Sequence, residues 1–227
     1  QPGAPAGQAA APAPGATQAP AAAPATPEEK ANQDRAAEIL TQAERTARGI
    51  RSMEADFSQT LVVPLLNTTQ RSTGKLYQRK PDRFLMRFSD PEGDVIVADG
   101  RHFWLYYPSS DRTQVIRTSI AEGGEAVDLQ QQFLSNPNQR FVATLVGEEN
   151  VGGQASHVLT LVPRGASPYK ILKVWIDKDD YLVRRMEMTE ENNSVRTVEM
   201  RNIRTNHTLP DNLFTFMPPE GAQIFDQ

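Results

Sequence analysis

A β-hairpin is predicted by the run Val95-Ile-Val-Ala-Asp-Gly-Arg-His-Phe-Trp-Leu-Tyr-Tyr-Pro108. Two apolar, β-prone segments are joined here by Asp99-Gly100, a dipeptide that favours a type I′ turn because both of its residues tolerate positive φ. Strands connected by such a short turn pair in antiparallel fashion. The hairpin therefore predicts an antiparallel sheet, and the sequence on either side indicates how large that sheet is.

Alternation of apolar and polar residues continues in both directions from the hairpin. The segments 52–63 and 83–88 both show a period of two, which predicts strands with one face in water. Further strands are predicted at 112–118, 140–147, 155–163, 169–177, 181–190, 194–204 and 214–217, and tight turns at 177–180 and 190–193. About ten short strands at such spacing predict one large antiparallel sheet that must curl or close, so the fold class is mainly β with a minor α component.

Two helices accompany the predicted sheet. Thr26 can cap the first helix, Pro27 fits its first turn and Glu29 completes a capping box, so we place this helix at 28–49. A second, short helix is predicted at 125–135, inside an insertion between strands. Both helices are amphipathic, and we expect them to lie on the concave face of the sheet.

The first 27 residues differ in composition from the remainder. They contain 12 Ala and 7 Pro without a single charged or large apolar side chain, so they cannot build a core and are predicted to be a disordered tail. Residues 28–227 then form one folded domain. Because the chain begins with Gln1 and not Met, we expect that a cleaved secretory signal peptide preceded it.

Composition and motifs exclude several functional classes. The absence of Cys removes disulfide frameworks, Cys-ligated metal sites and thiol nucleophiles, and the net charge of -4 argues against a nucleic-acid partner. His102, His157 and His207 stand in no metal-binding frame, and no nucleophile elbow or phosphate-binding loop is present. We therefore predict no catalytic residues, no metal and no cofactor.

The predicted sheet has more apolar face than two short helices can cover. Phe84, Met86 and Phe88 continue the phase of Leu76. Neighbouring strands are expected to add Phe57, Leu61, Trp104 and Tyr106 to the same face. Either a second sheet packs on this surface and makes an ordinary core, or the surface lines a cavity for an apolar ligand.

Four segments resemble one protein family: Ala55-Asp-Phe-Ser-Gln-Thr60, Arg79-Lys-Pro-Asp-Arg-Phe84, the hairpin at 95–108, and Phe214-Thr-Phe-Met-Pro-Pro-Glu-Gly221. In this order they are similar to the LolA-like outer-membrane lipoprotein carriers of the bacterial periplasm. The resemblance implies an incomplete, strongly curved antiparallel β-barrel of about eleven strands, with a helical lid over an apolar cavity that holds acyl chains.

The family resemblance also implies a function and partners. Members of the family are periplasmic chaperones that receive lipoproteins from an inner-membrane ATP-binding-cassette complex and deliver them to an outer-membrane acceptor. We expect a monomer of this kind, whose cavity is lined by the following residues: Phe57, Leu61, Leu76, Phe84, Met86, Phe88, Trp104 and Tyr106, with Leu129 and Phe133 from the lid.

The family motif also suggests a latch for the lid. The family's Lys-Arg-Pro motif corresponds to Arg79-Lys-Pro81 here. In the family, the basic residue before the Pro, usually Arg, is thought to bind carbonyl groups of the lid. Lys80 occupies that position here, and alternation points Lys80 inward while Arg79 points to solvent. Because lysine offers a point charge where arginine offers a planar fork, the latch is expected to be weaker or differently built.

Two other functions fit the same sequence. The Pro/Ala-rich tail would suit a spacer, so the domain could instead be a membrane-anchored or sensor-type LolA-like lipid-binding module. An enzyme acting on lipid is the third possibility, although no catalytic constellation supports it.

Overall fold

One sheet dominates the computed structural model, which describes residues 26–120 and 133–226. Its strands are β1 Ser52–Val63, β2 Thr68–Arg79, β3 Arg83–Asp90, β4 Val95–Asp99, β5 His102–Tyr106, β6 Gln114–Ser119, β7 Phe141–Val151, β8 Gln154–Pro163, β9 Tyr169–Asp177, β10 Val183–Glu190, β11 Val195–Thr205 and β12 Gln223–Asp226. The helices with complete bounds are α1 Pro27–Gly49 and α2 Pro137–Arg140, and short 3-10 turns occupy Pro64–Leu66 and Asp211–Phe214. The mainly β class is confirmed.

The strand order is β12-β6-β5-β4-β3-β2-β1-β11-β10-β9-β8-β7. All neighbours in this order are antiparallel except β12, which pairs with β6 in parallel. The sheet is strongly curved and open, with β12 and β7 at its two edges. Within the described residues it has twelve strands, one more than the eleven or so expected.

The predicted strand at 214–217 is wrong. The structure has a 3-10 turn at Asp211–Phe214 instead, and the last strand is Gln223–Asp226. Prolines at 210, 218 and 219 flank the segment and cannot donate backbone hydrogen bonds to a sheet. Phe214 is fully buried, so the segment lies on the sheet and does not extend it.

Helix α1 begins at the predicted residues. The hydroxyl of Thr26 accepts a hydrogen bond from the backbone N–H of Glu29 (3.2 Å), and the Glu29 carboxylate accepts one from the N–H of Thr26 (2.7 Å). The buried stripe of α1 consists of Ala36, Ile39, Leu40, Ala43 and Ala47. Across residues 26–120 and 133–226, no helix is both long and apolar enough to span a bilayer.

The two faces of the sheet carry separate apolar clusters. We call the side that carries α1 the inner face; its buried residues include Met53, Phe57, Leu76, Leu159 and Leu172. The outer face carries a smaller cluster around Leu85, Val97, Trp104 and Val115, which is covered by Leu209 and Phe214. In the described parts of the chain, α1 together with Phe133 and Leu134 covers the inner face, the C-terminal segment covers the outer-face cluster, and no second sheet packs on either face.

The β4–β5 hairpin is present, but its turn is not type I′. Gly100 has a φ of 90°, whereas Asp99 does not adopt positive φ. The Asp99 carboxylate instead accepts hydrogen bonds from the N–H groups of Arg101 and His102 (2.8 Å each) and from Trp104 Nε1 (2.7 Å). Burial alone would raise the pKa of Asp99, but these hydrogen bonds outweigh it and lower the pKa. The side chain of Asp99 thus forms the turn that the dipeptide alone was expected to form.

Candidate functional site

Five of the predicted cavity residues share the inner face. Their exposed fractions are small: Phe57 3%, Leu76 0%, Phe84 3%, Met86 8% and Phe88 7%. They belong to the same cluster as the buried stripe of α1. The helix and neighbouring strands therefore already fill much of the space that the sequence assigned to a cavity.

Trp104 and Tyr106 lie on the outer face, so their predicted place beside Phe84 is wrong. The register pairs Phe84 with Ala98 and Ala98 with Phe103, which leaves Trp104 opposite Val97. Trp104 and Tyr106 contact Phe216 of the C-terminal segment, with ring centroids 5.5 and 6.0 Å apart. Strand β5 is apolar on both faces, so alternation could not tell which of them is the inner one.

A cleft remains open at the end of the inner face where the β1–β2 hairpin projects. Its volume is about 760 Å³. Leu61 and Phe88 are the predicted cavity residues that line this cleft. The other residues of its lining were not predicted from the sequence. Apolar lining comes from Leu61, Phe88, Leu105, Tyr107 and Ile116; polar and charged lining includes Gln59, Gln70, Arg71, Ser72, Asp94, Asp111, Gln114 and Arg196.

Phe88 forms the wall between the filled and the open part of the inner face. Its ring packs edge-on against Phe57, with centroids 5.2 Å apart, and against Tyr107 at 6.3 Å. Gly74 lies beside this wall, and a Cβ there would stand 2.8 Å from Phe57 and 2.1 Å from the backbone oxygen of Arg87. Only glycine fits at this point, because any Cβ would overlap the Arg87 backbone and the Phe57 ring.

The tip of the β1–β2 hairpin gives the cleft an uncharged border. Leu65 and Leu66 are 87% and 68% exposed, and no residue from 57 to 70 carries a charge. An apolar chain that reaches the cleft along these exposed leucines meets no charged side chain between residues 57 and 70.

Only the end of the predicted lid falls within the described residues. Leu129 and the rest of 125–132 lie outside them, whereas Phe133 is buried and its ring centroid is 6.2 Å from that of Tyr169. The residues that follow are tied to α1, because the Asn136 N–H donates to Glu44 Oε1 (3.1 Å) and Asn138 Nδ2 to the Ala37 carbonyl (3.3 Å). The segment after Phe133 is therefore hydrogen-bonded to α1, the helix that covers the inner face.

Lys80 points inward, as alternation predicted. Its Nζ donates a hydrogen bond of 2.8 Å to the carbonyl oxygen of Ala47, in the last turn of α1. A cation at this end of a helix also interacts favourably with the unpaired carbonyl groups there. Within the described residues, Lys80 is thus hydrogen-bonded to α1. Residues 125–132 of the lid, which it was predicted to bind, lie outside the described residues.

Arg79 points outward but does not end in solvent. Its guanidinium donates to the Leu209 carbonyl (3.0 Å), pairs with Asp211 (2.6 Å) and lies 5.2 Å from the ring centroid of Phe214. The predicted solvent position is wrong, because the C-terminal segment that covers the outer face could not be foreseen from alternation. Arg79 and Lys80 hold different elements against opposite faces of the sheet.

The three histidines lie apart from the cleft. His102 is in β5, His157 in β8, and His207 follows β11, where its Nε2 is 3.1 Å from Glu54 Oε2. In 26–120 and 133–226, no group of three His, Asp or Glu side chains is arranged to hold a metal ion.

The family model of the outer membrane lipoprotein carrier protein LolA matches residues 48–217. The chain belongs to the LolA family. The matched range contains the cleft, Lys80 and the outer-face cluster, whereas most of α1 and all of β12 lie outside it. LolA membership therefore rests on the sheet and the cleft, and not on the tail or the helix.

Individual relatives are distant. An outer-membrane lipoprotein carrier protein of Legionella pneumophila is 26% identical over 193 residues, covering 85% of this chain and 90% of that protein. An uncharacterized protein of Methanocaldococcus jannaschii is also 26% identical over 193 residues, but the chain spans only 53% of its length. The solved structure of an uncharacterized conserved protein from Thermus thermophilus aligns with a TM-score of 0.54 at 15% identity, covering 85% of this chain and 99% of that one, and so shares its fold.

Proposed function

We propose that this LolA-family protein is a periplasmic carrier that binds the acyl chains of lipoproteins. It would receive them from an inner-membrane ATP-binding-cassette lipoprotein-releasing complex and deliver them to an outer-membrane acceptor. The observation that carries the proposal is the cleft beside Phe88, which continues an apolar face covered by a helix. Its volume of about 760 Å³ lies within the range usual for small-molecule sites.

The energetic need for such a site is large. Each methylene group kept from water stabilises the complex by about 0.8 kcal/mol, so acyl chains do not cross an aqueous compartment unprotected. The inner face can supply more apolar surface than the cleft alone if α1 moves. Three of the five residues in the buried stripe of α1 are alanines, so lifting this helix exposes less apolar area than lifting a stripe of leucines would.

In this proposal α1 and the segment 125–135 form the lid, and Lys80 is its latch. Lys80→Leu removes the donor to the Ala47 carbonyl, which we expect to cost about 1.5–3 kcal/mol, the range for a hydrogen bond to a charged group. Amide hydrogen exchange of residues 44–50 and 125–135 should become faster than in the wild type, whereas Lys80→Arg, with its planar fork of donors, should make it slower.

Lys75→Leu is the matched control for the latch. Lys75 is on β2, the strand that ends one residue before Lys80, but points to the outer face, where it forms an exposed pair with Asp56 at 2.7 Å; such pairs contribute only about 0–1 kcal/mol. Equal exchange in the Leu variants of Lys75 and Lys80 would show that Lys80 is not a latch.

The cleft itself is tested by filling it. Leu61→Trp places a larger side chain in the cleft, and we expect at least a tenfold loss of affinity for a triacylated lipopeptide, or about 1.4 kcal/mol. Val62→Trp is the control, since Val62 is the next residue, points to the other face and is 36% exposed. Binding is measured by displacement of an environment-sensitive dye, and thermal unfolding shows that both variants fold.

Unchanged lipopeptide affinity in folded Leu61→Trp would contradict the proposal. Equal losses in both Trp variants would place binding at the hairpin surface and not in the cleft.

A further inference from the structure

The cleft has an arginine among its apolar residues. Arg196 lies on β11 opposite Leu61 of β1 and Met188 of β10, so it belongs to the inner face. Its side chain is 33% exposed, and its ion pair with Glu190 is long at 3.8 Å. A guanidinium in this position keeps donors available toward the cleft.

The carboxylates of the cleft are engaged elsewhere. Asp94 is buried and accepts hydrogen bonds from the N–H (3.0 Å) and hydroxyl (2.7 Å) of Ser109. Asp111 accepts from the N–H (2.8 Å) and hydroxyl (2.7 Å) of Thr113. Both carboxylates thus fix the loop after β5 and have fewer acceptor positions left for a ligand.

The positive side of the cleft faces its aromatic wall. Arg196 and Tyr107 line the same cleft. Burial raises the pKa of Tyr107, Asp94 adds to the rise and the Arg196 guanidinium opposes it. Arg71 also borders the cleft, but it follows Gln70, which lies opposite Leu61, and so belongs to the outer face of β2. Beyond Arg196, Leu61, Leu105 and Ile116 continue the cleft as apolar surface.

We propose that the cleft binds an acyl-chain amphiphile with an anionic head group, a carboxylate or a phosphate, whose head lies at Arg196 and whose chain lies along Leu61, Leu105 and Ile116. The inference rests on the proposed acyl-binding function and adds a second ligand class. The acyl anchor of a triacylated lipopeptide has no ionisable head group, so a charged amphiphile would use a contact that the anchor leaves empty. Arginine suits either head because its planar fork matches both carboxylate and phosphate.

The test compares probes that share a chain and differ only in the head. A fluorescent C16 fatty acid and the corresponding alcohol are titrated into the full chain, and lysophosphatidylglycerol and lysophosphatidylcholine of equal chain length then compete for the site. We expect the acid to bind the wild-type protein about ten- to a hundredfold more tightly than the alcohol, the ratio that a charged hydrogen bond provides. The two lysolipids decide whether a phosphate is accepted as well as a carboxylate.

Arg196→Gln should remove that preference and leave the affinity for the alcohol unchanged. Arg201→Gln is the control, because Arg201 is on the same strand, pairs with Glu199 at 2.7 Å, and its loss changes the net charge equally. A wild-type protein that binds acid and alcohol equally, or an Arg196→Gln variant that loses both equally, would overturn the head-group site while leaving the acyl cleft in place. If the wild-type protein bound neither probe nor the lipopeptide, the proposed function would fail as well.

Discussion

Phe214→Ala is expected to lower the free energy of unfolding by about 3–5 kcal/mol, the usual cost of truncating a fully buried phenylalanine. Phe214 has no exposed surface and joins Leu85, Val97 and Trp104 in the outer-face cluster. The substitution leaves a cavity between the C-terminal segment and the sheet. Chemical denaturation monitored by circular dichroism measures the change, which for a domain of this size corresponds to roughly 2–4 °C of melting temperature per kcal/mol.

The C-terminal segment has other attachments, so the loss should not detach it fully. Arg79 still binds the Leu209 carbonyl and Asp211. Met217→Ala is the control, because Met217 is 82% exposed and its truncation should change stability by less than about 0.5 kcal/mol. A Phe214→Ala protein as stable as Met217→Ala would mean that the segment does not pack on the sheet.

Asp177→Ala is the second large effect, with an expected cost of about 3 kcal/mol. Asp177 is 1% exposed, and its Oδ1 accepts from the N–H groups of Asp179 (2.8 Å) and Asp180 (3.3 Å). Its Oδ2 accepts from Arg184 Nε at 3.0 Å. The variant leaves these donors without their acceptor in a buried turn, which is more costly than losing an exposed pair. Asp179→Ala, at an exposed position of the same turn, is the control.

The contribution of Asp177 depends on pH in a known direction. Burial would raise its pKa, but the hydrogen bonds from Asp179, Arg184 and Asp180 outweigh burial and lower it. A carboxyl whose pKa is lower in the folded state stabilises the fold fully above its unfolded pKa, near 3.9, and loses that contribution as the pH falls through the folded value. The stability difference between wild type and Asp177→Asn should therefore be largest near pH 7 and shrink below about pH 4. A difference that stays constant down to pH 2 would contradict this account.

The alternation of apolar and polar residues predicted the strands because most of them have one buried and one solvent-exposed face. It also placed Lys80 inward, since the phase of Leu76 continues unbroken to the end of β2. Local hydrogen-bonding chemistry predicted the start of α1, because Thr26 and Glu29 are three residues apart. These features depend only on residues close in sequence.

Only part of the cleft was predicted from the sequence. The residues that line it depend on the register between strands, which the alternation within one strand does not give. The Asp99-Gly100 turn suffices to put Phe103 on the face of Ala98. The sequence did not show which face of β4 accompanies Phe84, because that depends on the irregular connection from β3 to β4. Leu105, Tyr107 and Ile116 were therefore missed, and Trp104 and Tyr106 were taken in their place.

The pairing of β1 with β11 has a consequence for how the chain folds. Met53 lies opposite Thr205, so the middle of the sheet joins residues from the two ends of the folded domain. On one side of this junction, β2 to β6 follow one another as neighbours, and on the other side β7 to β10 do the same. Each side is assembled from local hairpins, whereas the junction must close a loop of more than a hundred residues and bears the corresponding entropic cost. We therefore expect the two sides to form early and the junction late, so that Arg196, which β11 supplies to the cleft, joins Leu61, Leu105 and Ile116 only after β11 has been synthesised and has paired with β1.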